Sequence, residues 1–401
     1  MKKNLLASQL SIIALLLISS QSFAQAGYPQ SLLNTKQTFS RNAAVAMAEP
    51  YRGVATSTGI VPGLFPIQAT GASTASVVRA ADIFLSTLNT AQLSRSHFAV
   101  DDPEWRNWSN VDVGIFARHG VSLEEMSDQQ KAAAWNLLSE SLSQQGLDKT
   151  QRIMRTEQTL LELNGEPIRY GEEKYYFTVM GLPSADEPWG WQLDGHHLVI
   201  NFFVLGGQVV MTPVFMGGEP VVTDSGKYIG NLIMQQEQDK GLAFMQSLDA
   251  AQQARATING VKTRNNNTAE ANQDNLTTDY VGIKASELSS AQKVQLLDLI
   301  REYVANLRDP HAVITLDAIG QHIEDTYFSW VGGVVADGVF YYRIHSPVIL
   351  IEFDHQNPVG TLQKNAPGTP TRDHIHSIVR TPNGNDYGKD LLAQHLATHP
   401  H

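Results

Sequence analysis

Hydrophobic residues recur at helical spacing in several stretches of the chain, and most of these stretches begin with a capping residue. Ser or Asp followed three residues later by Gln forms a capping-box pattern, which satisfies two backbone N–H groups at a helix start. Apolar faces of this kind usually pack into a hydrophobic core. The predicted helices cover 74–89, 127–146, 148–164 and 240–258, one more begins at Ser289, and a last one begins with Asp386 as its N-cap.

Shorter stretches rich in β-branched and aromatic residues, bounded by Gly, Pro, Asn or Asp, predict β-strands. They fall in two blocks with helices between them, and this order favours an α+β fold. The expected architecture is an antiparallel or mixed sheet that carries two histidine clusters and packs against amphipathic helices. The predicted strands are 174–180, 197–205, 208–214, 339–345, 348–353 and 374–380.

The first residues have the order of a secretory signal peptide. Lys2 and Lys3 precede an apolar stretch, and Ser22-Phe23-Ala24 supplies the small residues of a cleavage site. The apolar stretch is shorter than the roughly 20 residues that cross a bilayer, so no stable membrane anchor is expected. We predict residues 1–24 to be a signal peptide cleaved after Ala24, and the protein to be periplasmic or secreted.

The rest of the chain is predicted to form one domain preceded by an arm. Residues 25–75 are rich in Gly, Ser, Thr, Ala and Pro with weak periodicity, which favours an extended N-terminal arm. Residues 76–401 are predicted to form a single integrated α+β domain. A stretch near 263–280 contains Asn265-Asn266-Asn267 and few apolar residues, which indicates a polar surface insertion.

Composition restricts the partners and the chemistry. The chain has no cysteine although export is predicted, so disulfides, thiolate metal sites and a cysteine nucleophile are excluded. The formal net charge is -11 and no stripe of Lys or Arg occurs, which argues against nucleic acid as a partner. A divalent metal would have to be held by His, Asp, Glu or backbone oxygen. Such ligands make zinc the leading candidate, with manganese, iron and copper as alternatives.

Two histidine pairs are the candidate metal ligands. His374 and His376 are two residues apart on a predicted strand, so the period of two places both imidazoles on one face. His196 and His197 follow turn-forming glycines and precede an apolar run. Adjacent strand residues point to opposite faces, so both can serve one site only if a bulge or turn intervenes, which the preceding Gly195 permits. Otherwise one of these two is a core histidine and the other a surface histidine.

Carboxylates and a guanidinium lie in the same blocks. Glu219 and Glu352 are candidates for a general base, and Arg343 for a clamp on an anionic substrate. His345, two residues from Arg343, is a candidate general base or further ligand. The carboxylates of Glu219, Glu352 and Asp354 are equally good candidates for accepting the N–H of a ligating histidine and so fixing its tautomer. For Glu352 and Asp354, which share a strand face, the other alternative is a solvated face with charge pairing.

Several short motifs around these residues carry a family resemblance. They are Trp189-Gly190-Trp191 with Gly195-His196-His197, Thr212-Pro213-Val214-Phe215 with Glu219-Pro220, Phe328-Ser329-Trp330-Val331-Gly332, Tyr341-Tyr342-Arg343-Ile344, Ile351-Glu352-Phe353-Asp354, and His374-Ile375-His376 through Asp386-Tyr387-Gly388. In this combination the chain resembles the domain of unknown function 3500 family of bacteria and fungi over most of residues 80–398. The resemblance supports one integrated domain, implies no established activity, and implies that the positions of His345 and His355 often carry amide residues.

The leading hypothesis is an extracytoplasmic metal-dependent hydrolase that acts on a small-molecule substrate. The substrate could be anionic, since Arg343 is a candidate clamp for a negative charge. The ion would lower the pKa of bound water and polarise a carbonyl or phosphoryl oxygen. The same ligands also suit a non-haem iron or copper redox enzyme. The alternative from another class is a non-catalytic periplasmic metal- or small-ligand-binding protein, which would have a closed coordination sphere. A purely structural role for the histidines is the third reading.

Overall fold

One mixed sheet runs through the protein and contains both predicted strand blocks. The structure is a computed structural model that describes residues 28–399. The predicted signal peptide therefore lies outside the described residues. The strands are β1 (His97–Phe98), β2 (Val121–Ser122), β3 (Tyr175–Met180), β4 (Trp189–Gly195), β5 (Leu198–Leu205), β6 (Gln208–Val210), β7 (Val214–Gly218), β8 (Thr257–Asn259), β9 (Ile283–Lys284), β10 (Tyr327–Gly332), β11 (Phe340–His345), β12 (Leu350–His355) and β13 (Ile375–Arg380).

The main strand order across the sheet is β1-β3-β4-β5-β7-β13-β12-β11-β10-β8, with β2 paired to β3, β6 to β5 and β9 to β10. The β1–β3 and β8–β10 pairs are parallel, whereas the central pairs are antiparallel. The expected α+β fold with a mixed sheet is confirmed. The predicted strand 208–214 is wrong, because β6 ends at Val210 and β7 begins at Val214. Strand β4 was missed, since its glycines indicated only a turn.

Helices pack on this sheet and account for most of the predicted helical stretches. They are α1 (Gln30–Ala48), α2 (Ala75–Thr87), α3 (Thr90–Ser96), α4 (Asp128–Ser141), α5 (Gln144–Asn164), α6 (Gln235–Ser247), α7 (Ala250–Ala256), α8 (Ser290–Val304), α9 (His311–Gln321) and α10 (Lys389–Thr398). The capping boxes at Ser127 and Ser289 are confirmed. Helix α5 begins earlier than predicted because Ser143 caps it. The helix predicted over 240–258 is interrupted at Asp249, which caps α7.

The N-terminal region differs from the expected extended arm, because Gln30–Ala48 is helical. Contacts from the rest of the protein hold this helix. The Lys36 ammonium donates to the Val113 carbonyl at 2.8 Å, and the Arg106 guanidinium donates to backbone carbonyls at the C-terminal end of the helix. The amphipathic pattern of this stretch is weak, so these tertiary contacts, which the pattern does not contain, decide its conformation.

Asp386 does not cap the last helix, contrary to the prediction. Its carboxylate is fully buried and accepts hydrogen bonds from the Arg380 guanidinium at 3.0 Å and from the Thr381 N–H at 2.7 Å. Helix α10 begins only after Gly388. Burial raises the pKa of Asp386 to about 6, and the charge of Arg380 and the Thr381 N–H partly offset this cost.

Alternate residues of β5 pack into different hydrophobic clusters. Leu198 and Ile200 belong to a large cluster among the helices, whereas Val199 and Phe203 belong to a smaller one with Trp105. The sheet is therefore covered on both faces. Within residues 28–399 no helix combines the length and the apolarity that a bilayer crossing requires.

Residues 262–280, which include the polar surface insertion predicted near 263–280, cover polar side chains of the sheet. Buried Glu352 and Asp354 both accept hydrogen bonds from the backbone of this segment. Asp354 pairs with His376 and Glu352 with Ile378 across β12 and β13, so both acids lie beside the strand that carries His376. The 262–280 segment thus connects the sheet to the candidate site.

Candidate metal centre

His196 and His197 form the two-residue turn between β4 and β5, because Gly195 pairs with Leu198. His197 has φ of 60°, in the left-handed region that residues other than glycine seldom adopt. In this turn the two imidazoles stack with their ring centroids 3.7 Å apart. A hairpin turn therefore brings the adjacent histidines together, where the sequence predicted a bulge or turn.

Gly217 in β7 lies between the two histidine pairs. Its N–H donates to the His197 carbonyl at 2.9 Å, and it pairs with His376 across β7 and β13. A Cβ at Gly217 would lie 2.4 Å from the Ile375 carbonyl oxygen and 3.3 Å from Cδ2 of His376. Strand β7 lies between β5 and β13, so the backbones of β5 and β13 are two strand spacings, about 9.6 Å, apart. The ring centroids of His197, which precedes β5, and of His376 in β13 are nevertheless only 5.4 Å apart. The absence of a side chain at Gly217 makes this approach possible.

His374 and His376 lie at the start of β13 and point to the same side, as predicted. Their Nε2 atoms are 2.9 Å apart, and their rings are nearly perpendicular. His376 is within the strand, whereas His374 immediately precedes it. The ring of Phe215 packs edge-on against His376, with centroids 4.9 Å apart, and limits its movement.

The two histidine pairs converge on one point. The Nε2 atoms of His197 and His374 are 3.3 Å apart, and the nitrogens of His197, His374 and His376 all lie within 4.8 Å of one another. A zinc ion with Zn–N bonds of about 2.0–2.1 Å places its ligand nitrogens about 3.3 Å apart in a tetrahedron and about 3.0 Å apart at right angles. The distances from His374 to His197 and to His376 match this spacing, so the three histidines form a group that could hold a metal ion.

Each of the three histidines has an acceptor on its other ring nitrogen. The contacts are His197 Nδ1 to Glu157 Oε1 at 3.0 Å, His374 Nδ1 to the Asn357 carbonyl at 2.7 Å, and His376 Nδ1 to Glu270 Oε1 at 2.8 Å. A carbonyl can only accept, so the proton of His374 lies on Nδ1. Ionised carboxylates impose the same tautomer on the other two rings. The three Nε2 lone pairs then face one another, which a cation would satisfy.

The electrostatics of the pocket favour the neutral form of His197 and of His374. Burial, followed by repulsion from neighbouring histidines, lowers the pKa of His197 well below its ordinary value and the pKa of His374 to about 4. Burial opposes ionisation of Glu270, but His376 and the amide donors of Asn267 and Asn110 outweigh it and lower the pKa of this acid. Neutral imidazoles beside an ionised carboxylate are the state that binds a metal ion.

Glu157 on α5 is shared by two histidines. Its Oε2 atom lies 2.8 Å from His196 Nδ1, while Oε1 faces His197. Burial raises the pKa of Glu157, and a cation bound to His197 would offset that cost. His196 forms a group with Glu157 and His197 that is separate from the three converging nitrogens. Of the four predicted ligands, His196 therefore lies beside the cluster instead of within it.

Glu219, a predicted general base, accepts hydrogen bonds from a neighbouring loop. Its carboxylate accepts hydrogen bonds from the N–H groups of residues 359–361 and from the Thr361 hydroxyl. Burial alone would raise its pKa, but His374, with Oε2 to Nδ1 3.6 Å, and these donors lower it. The same loop presents the Asn357 carbonyl to His374. Glu219 thus supports the site through the loop, and its geometry does not favour the role of a base.

The carboxylate of Glu352, the other predicted base, is also fully engaged in hydrogen bonds. It accepts from the N–H groups of Thr268 and Ala269, from the Thr268 hydroxyl and from the Tyr341 hydroxyl. Arg343, the predicted anion clamp, donates to the Thr278 hydroxyl at 2.7 Å and to a neighbouring backbone carbonyl. Both side chains contact the 262–280 segment and not the three converging nitrogens, which corrects the roles expected for them.

His345 is buried and packs against Tyr280, with ring centroids 4.5 Å apart and the rings tilted by 51°. Burial, together with the nearby Arg343, lowers the pKa of His345 to about 3. The structure does not bring this imidazole to the three converging nitrogens. Its surroundings are those of a neutral core histidine, in contrast to the predicted base or ligand.

Three orienting groups were missed by sequence reasoning: Glu157, Glu270 and the Asn357 carbonyl. For Glu157 a signal existed, because it follows Ile153 by four positions and precedes Leu160 by three, which places a carboxylate within the buried stripe of an amphipathic helix. Glu270 lies in an irregular polar segment where no periodicity indicates burial. The role of the Asn357 backbone carbonyl cannot be predicted from a sequence, because every residue has a backbone carbonyl.

Together these features define an α+β protein with a large mixed sheet and buried His and Glu groups that can hold a metal ion. The chain belongs to the family described as Protein of unknown function (DUF3500), which matches residues 70–389. The resemblance predicted from the motifs is confirmed. Comparison with curated proteins and with solved structures gave no match.

Proposed function

We propose that this protein is a metal-dependent hydrolase whose centre is built from His197, His374 and His376. The observation that carries the proposal is the convergence of three Nε2 lone pairs, each oriented by an acceptor on Nδ1. Removing the ion would leave three buried lone pairs without a donor, which is unfavourable for a polar cluster. Zinc is the leading candidate because neutral nitrogen ligands at these distances suit it.

The number of ligands favours a catalytic site over a closed storage site. Structural zinc sites have four protein ligands, whereas catalytic sites commonly have three and leave one position for water or substrate. The edge of the cluster near His196 and Glu270 reaches solvent, since their side chains are 17% and 26% exposed. His197 is 2% exposed and lies on the inner side. A small molecule would approach from the edge of His196 and Glu270.

A divalent ion in this position would act as a Lewis acid on a carbonyl or phosphoryl oxygen and would lower the pKa of water. The protein residues would supply orientation. Glu157 holds the rings of His196 and His197 parallel, and Glu270 holds His376. His196, the most exposed of the four histidines, stands where it can contact a substrate held at the centre.

Charge around the centre supports a neutral small-molecule substrate more than the anionic one that the sequence left open. Glu157, Glu219 and Glu270 each lie beside one of the converging histidines. Arg343, the expected clamp, is engaged by the 262–280 segment. Because like charges repel, an anion would have to approach three carboxylates, whereas a neutral ester, lactone or amide would not. The extracytoplasmic location remains part of the proposal and depends on the predicted signal peptide.

The test is metal analysis of protein purified without a His-tag, followed by hydrolysis assays on neutral esters, lactones, amides and phosphate esters. We expect one equivalent of zinc, and turnover of a neutral substrate that is lost on chelation and restored by zinc. Bound metal without turnover of any of these substrates would overturn the proposal that the protein is an enzyme and would favour a metal-binding protein. Iron or copper with redox activity would overturn the hydrolase, and protein that binds no metal would overturn the centre itself.

A further inference from the structure

The backbone that leads to Glu270 is held by three fully buried side chains of the sheet: Glu352, Asp354 and Arg380. Asp354 accepts from the N–H groups of Asn266 and Asn267, Glu352 accepts from those of Thr268 at 2.8 Å and Ala269 at 2.9 Å, and Arg380 donates to the carbonyls of Ala269 at 2.6 Å and Glu270 at 2.9 Å. Every residue from 266 to 270 thus has a backbone group bonded to one of these acidic or basic side chains. Charged hydrogen bonds are shorter and stronger than neutral ones, so the segment is held firmly.

The Glu270 carboxylate extends from this backbone to the metal centre. Its Oε1 atom accepts from His376 Nδ1 at 2.8 Å and from the Asn267 amide at 2.7 Å, and its Oε2 atom accepts from the Asn110 amide at 3.0 Å. The orientation of His376 therefore depends on where the backbone of Glu270 lies. Ala269 packs into the smaller hydrophobic cluster, and the polar groups of this backbone bond to the buried side chains beneath it.

Glu352 occupies the central place in this arrangement. It accepts from the backbone N–H groups of both residues immediately before Glu270, and the Tyr341 hydroxyl donates to its carboxylate at 2.7 Å. A neutral amide at this position would present a donor to one of the backbone N–H groups. The peptide before Glu270 would then have to shift, and the carboxylate would shift with it.

We propose that Glu352 is a positioning residue of the metal centre, which acts through the backbone of Thr268 and Ala269 on Glu270, and through Glu270 on His376. This inference rests on the proposed metal centre. It gives Glu352 a function that does not involve contact with the substrate. Its effect is on metal affinity and coordination geometry, and it is transmitted by one defined residue.

The first measurement is zinc affinity by competition with a chromogenic chelator, together with the visible spectrum of the cobalt(II) protein. Replacing groups that orient metal ligands typically weakens metal binding 10–100-fold, so for E352Q, one step further from the ion, we expect about a tenfold loss and an altered cobalt spectrum. The matched control is E237Q, since Glu237 is an equally buried carboxylate that pairs with Lys149 among the helices. It should affect stability and leave zinc affinity and the cobalt spectrum unchanged.

The second measurement is a double-mutant cycle with E270Q. If Glu352 acts through Glu270, the E352Q substitution has no further effect on zinc affinity in the E270Q background. Losses that multiply in the double variant would overturn the inference. If E352Q does not fold, Tyr341→Phe removes one donor to Glu352 and should weaken zinc binding in the same direction, again only when Glu270 is present. An unchanged affinity in Tyr341→Phe would then count against the proposal.

The two proposals fail in different ways. Wild-type protein that binds no zinc would overturn the metal centre. If the wild type binds zinc and the E352Q variant binds it equally tightly, the metal centre is supported and only the positioning role of Glu352 is overturned.

Discussion

The Nε2 atoms of His197 and His374 lie 3.3 Å apart although the two histidines are 177 positions apart along the chain. The two histidine pairs contribute unequally to this point, because the β4–β5 turn directs His197 to His374 and His376 and leaves His196 beside Glu157. Two neutral imidazoles with Nδ1 protonated cannot form a hydrogen bond through their Nε2 atoms. Their proximity therefore leads to predictions about a bound cation.

Replacing His374 and His376 together by Ala should abolish stabilisation by zinc and leave the metal-free fold largely intact. An ion that binds only the native state stabilises it by about 2.7 kcal/mol at a hundredfold excess over Kd, so the melting temperature of the wild type should rise by several degrees. Calorimetry with and without zinc measures the difference. His119→Ala, a partly exposed histidine outside the cluster, should retain the gain. A double variant that melts far below the metal-free wild type would show that these are core residues.

Replacing Glu157 by Gln should weaken zinc binding by about 10–100-fold, as is usual when a carboxylate that orients a ligating histidine is lost. The carboxylate accepts from both His196 and His197, whereas an amide has one acceptor and one donor side. Isothermal titration with zinc gives the affinity. The control is Glu162→Gln, an exposed position on the same helix. Equal affinities in the two variants would contradict the orienting role.

Replacing Gly217 by Ala should reduce both stability and zinc affinity. The new Cβ would lie 2.4 Å from the Ile375 carbonyl oxygen and would push β13, with His376, away from His197. Overpacking of this kind costs about 1–3 kcal/mol of unfolding free energy. Urea denaturation in chelator and zinc titration measure the two effects. Gly260→Ala, where a Cβ meets nothing within 4 Å, should change neither quantity appreciably.

The His345→Asn variant should lose less stability than the wild type on acidification. In the folded protein the pKa of His345 is about 3, below its ordinary value of about 6.5, so the unfolded chain takes up a proton that the native state does not. This contribution to stability is lost as the pH falls from about 6.5 towards 3, and amounts to about 2 kcal/mol between pH 7 and pH 5. Urea denaturation of both proteins in chelator at the two pH values tests it.

His119 supplies the contrast for this pH experiment. A hydrogen bond to Glu104 raises the pKa of His119, so its stabilising contribution is present at low pH and is lost as the pH rises. The difference between wild type and His119→Asn should therefore grow on acidification, whereas the difference for His345→Asn should shrink. The same direction in both variants would contradict the assigned environments.

Expression with the full N-terminus in a bacterial host should give mature protein that begins at Gln25. The order of Lys2 and Lys3, an apolar stretch and Ser22-Phe23-Ala24 predicts cleavage after Ala24. Intact-mass measurement on protein from the periplasm or the medium gives the start of the chain. Retention of residues 1–24 in the mature material would count against export by this route.

Local patterns in the sequence were sufficient for the fold class and for the shared orientation of His374 and His376. Capping boxes at Ser127 and Ser289 predicted helix starts correctly, because a cap is made by residues a few positions apart. The common orientation of His374 and His376 follows from the strand period, which the backbone imposes wherever the strand lies. The motifs also predicted the family correctly.

Other parts depended on contacts that no local pattern contains. The helix Gln30–Ala48 has a weak apolar face, and Arg106 and Lys36 from elsewhere in the chain hold it. Residues 262–280 looked like a surface insertion because they are polar. Their polar backbone is satisfied by buried charges such as Glu352, and burial of a charge is a property of the assembled structure.

The sequence by itself determined which residues of this protein could bind a metal: four histidines in two pairs, with no cysteine to compete. Only the tertiary structure decided that three of them converge and that Glu157 and Glu270 orient them. The physical reason is that convergence depends on the register of β5, β7 and β13, and on Gly217 at the crossing point. Strand register is set by the packing of the whole sheet, so a site built across three strands exists only after the sheet has formed.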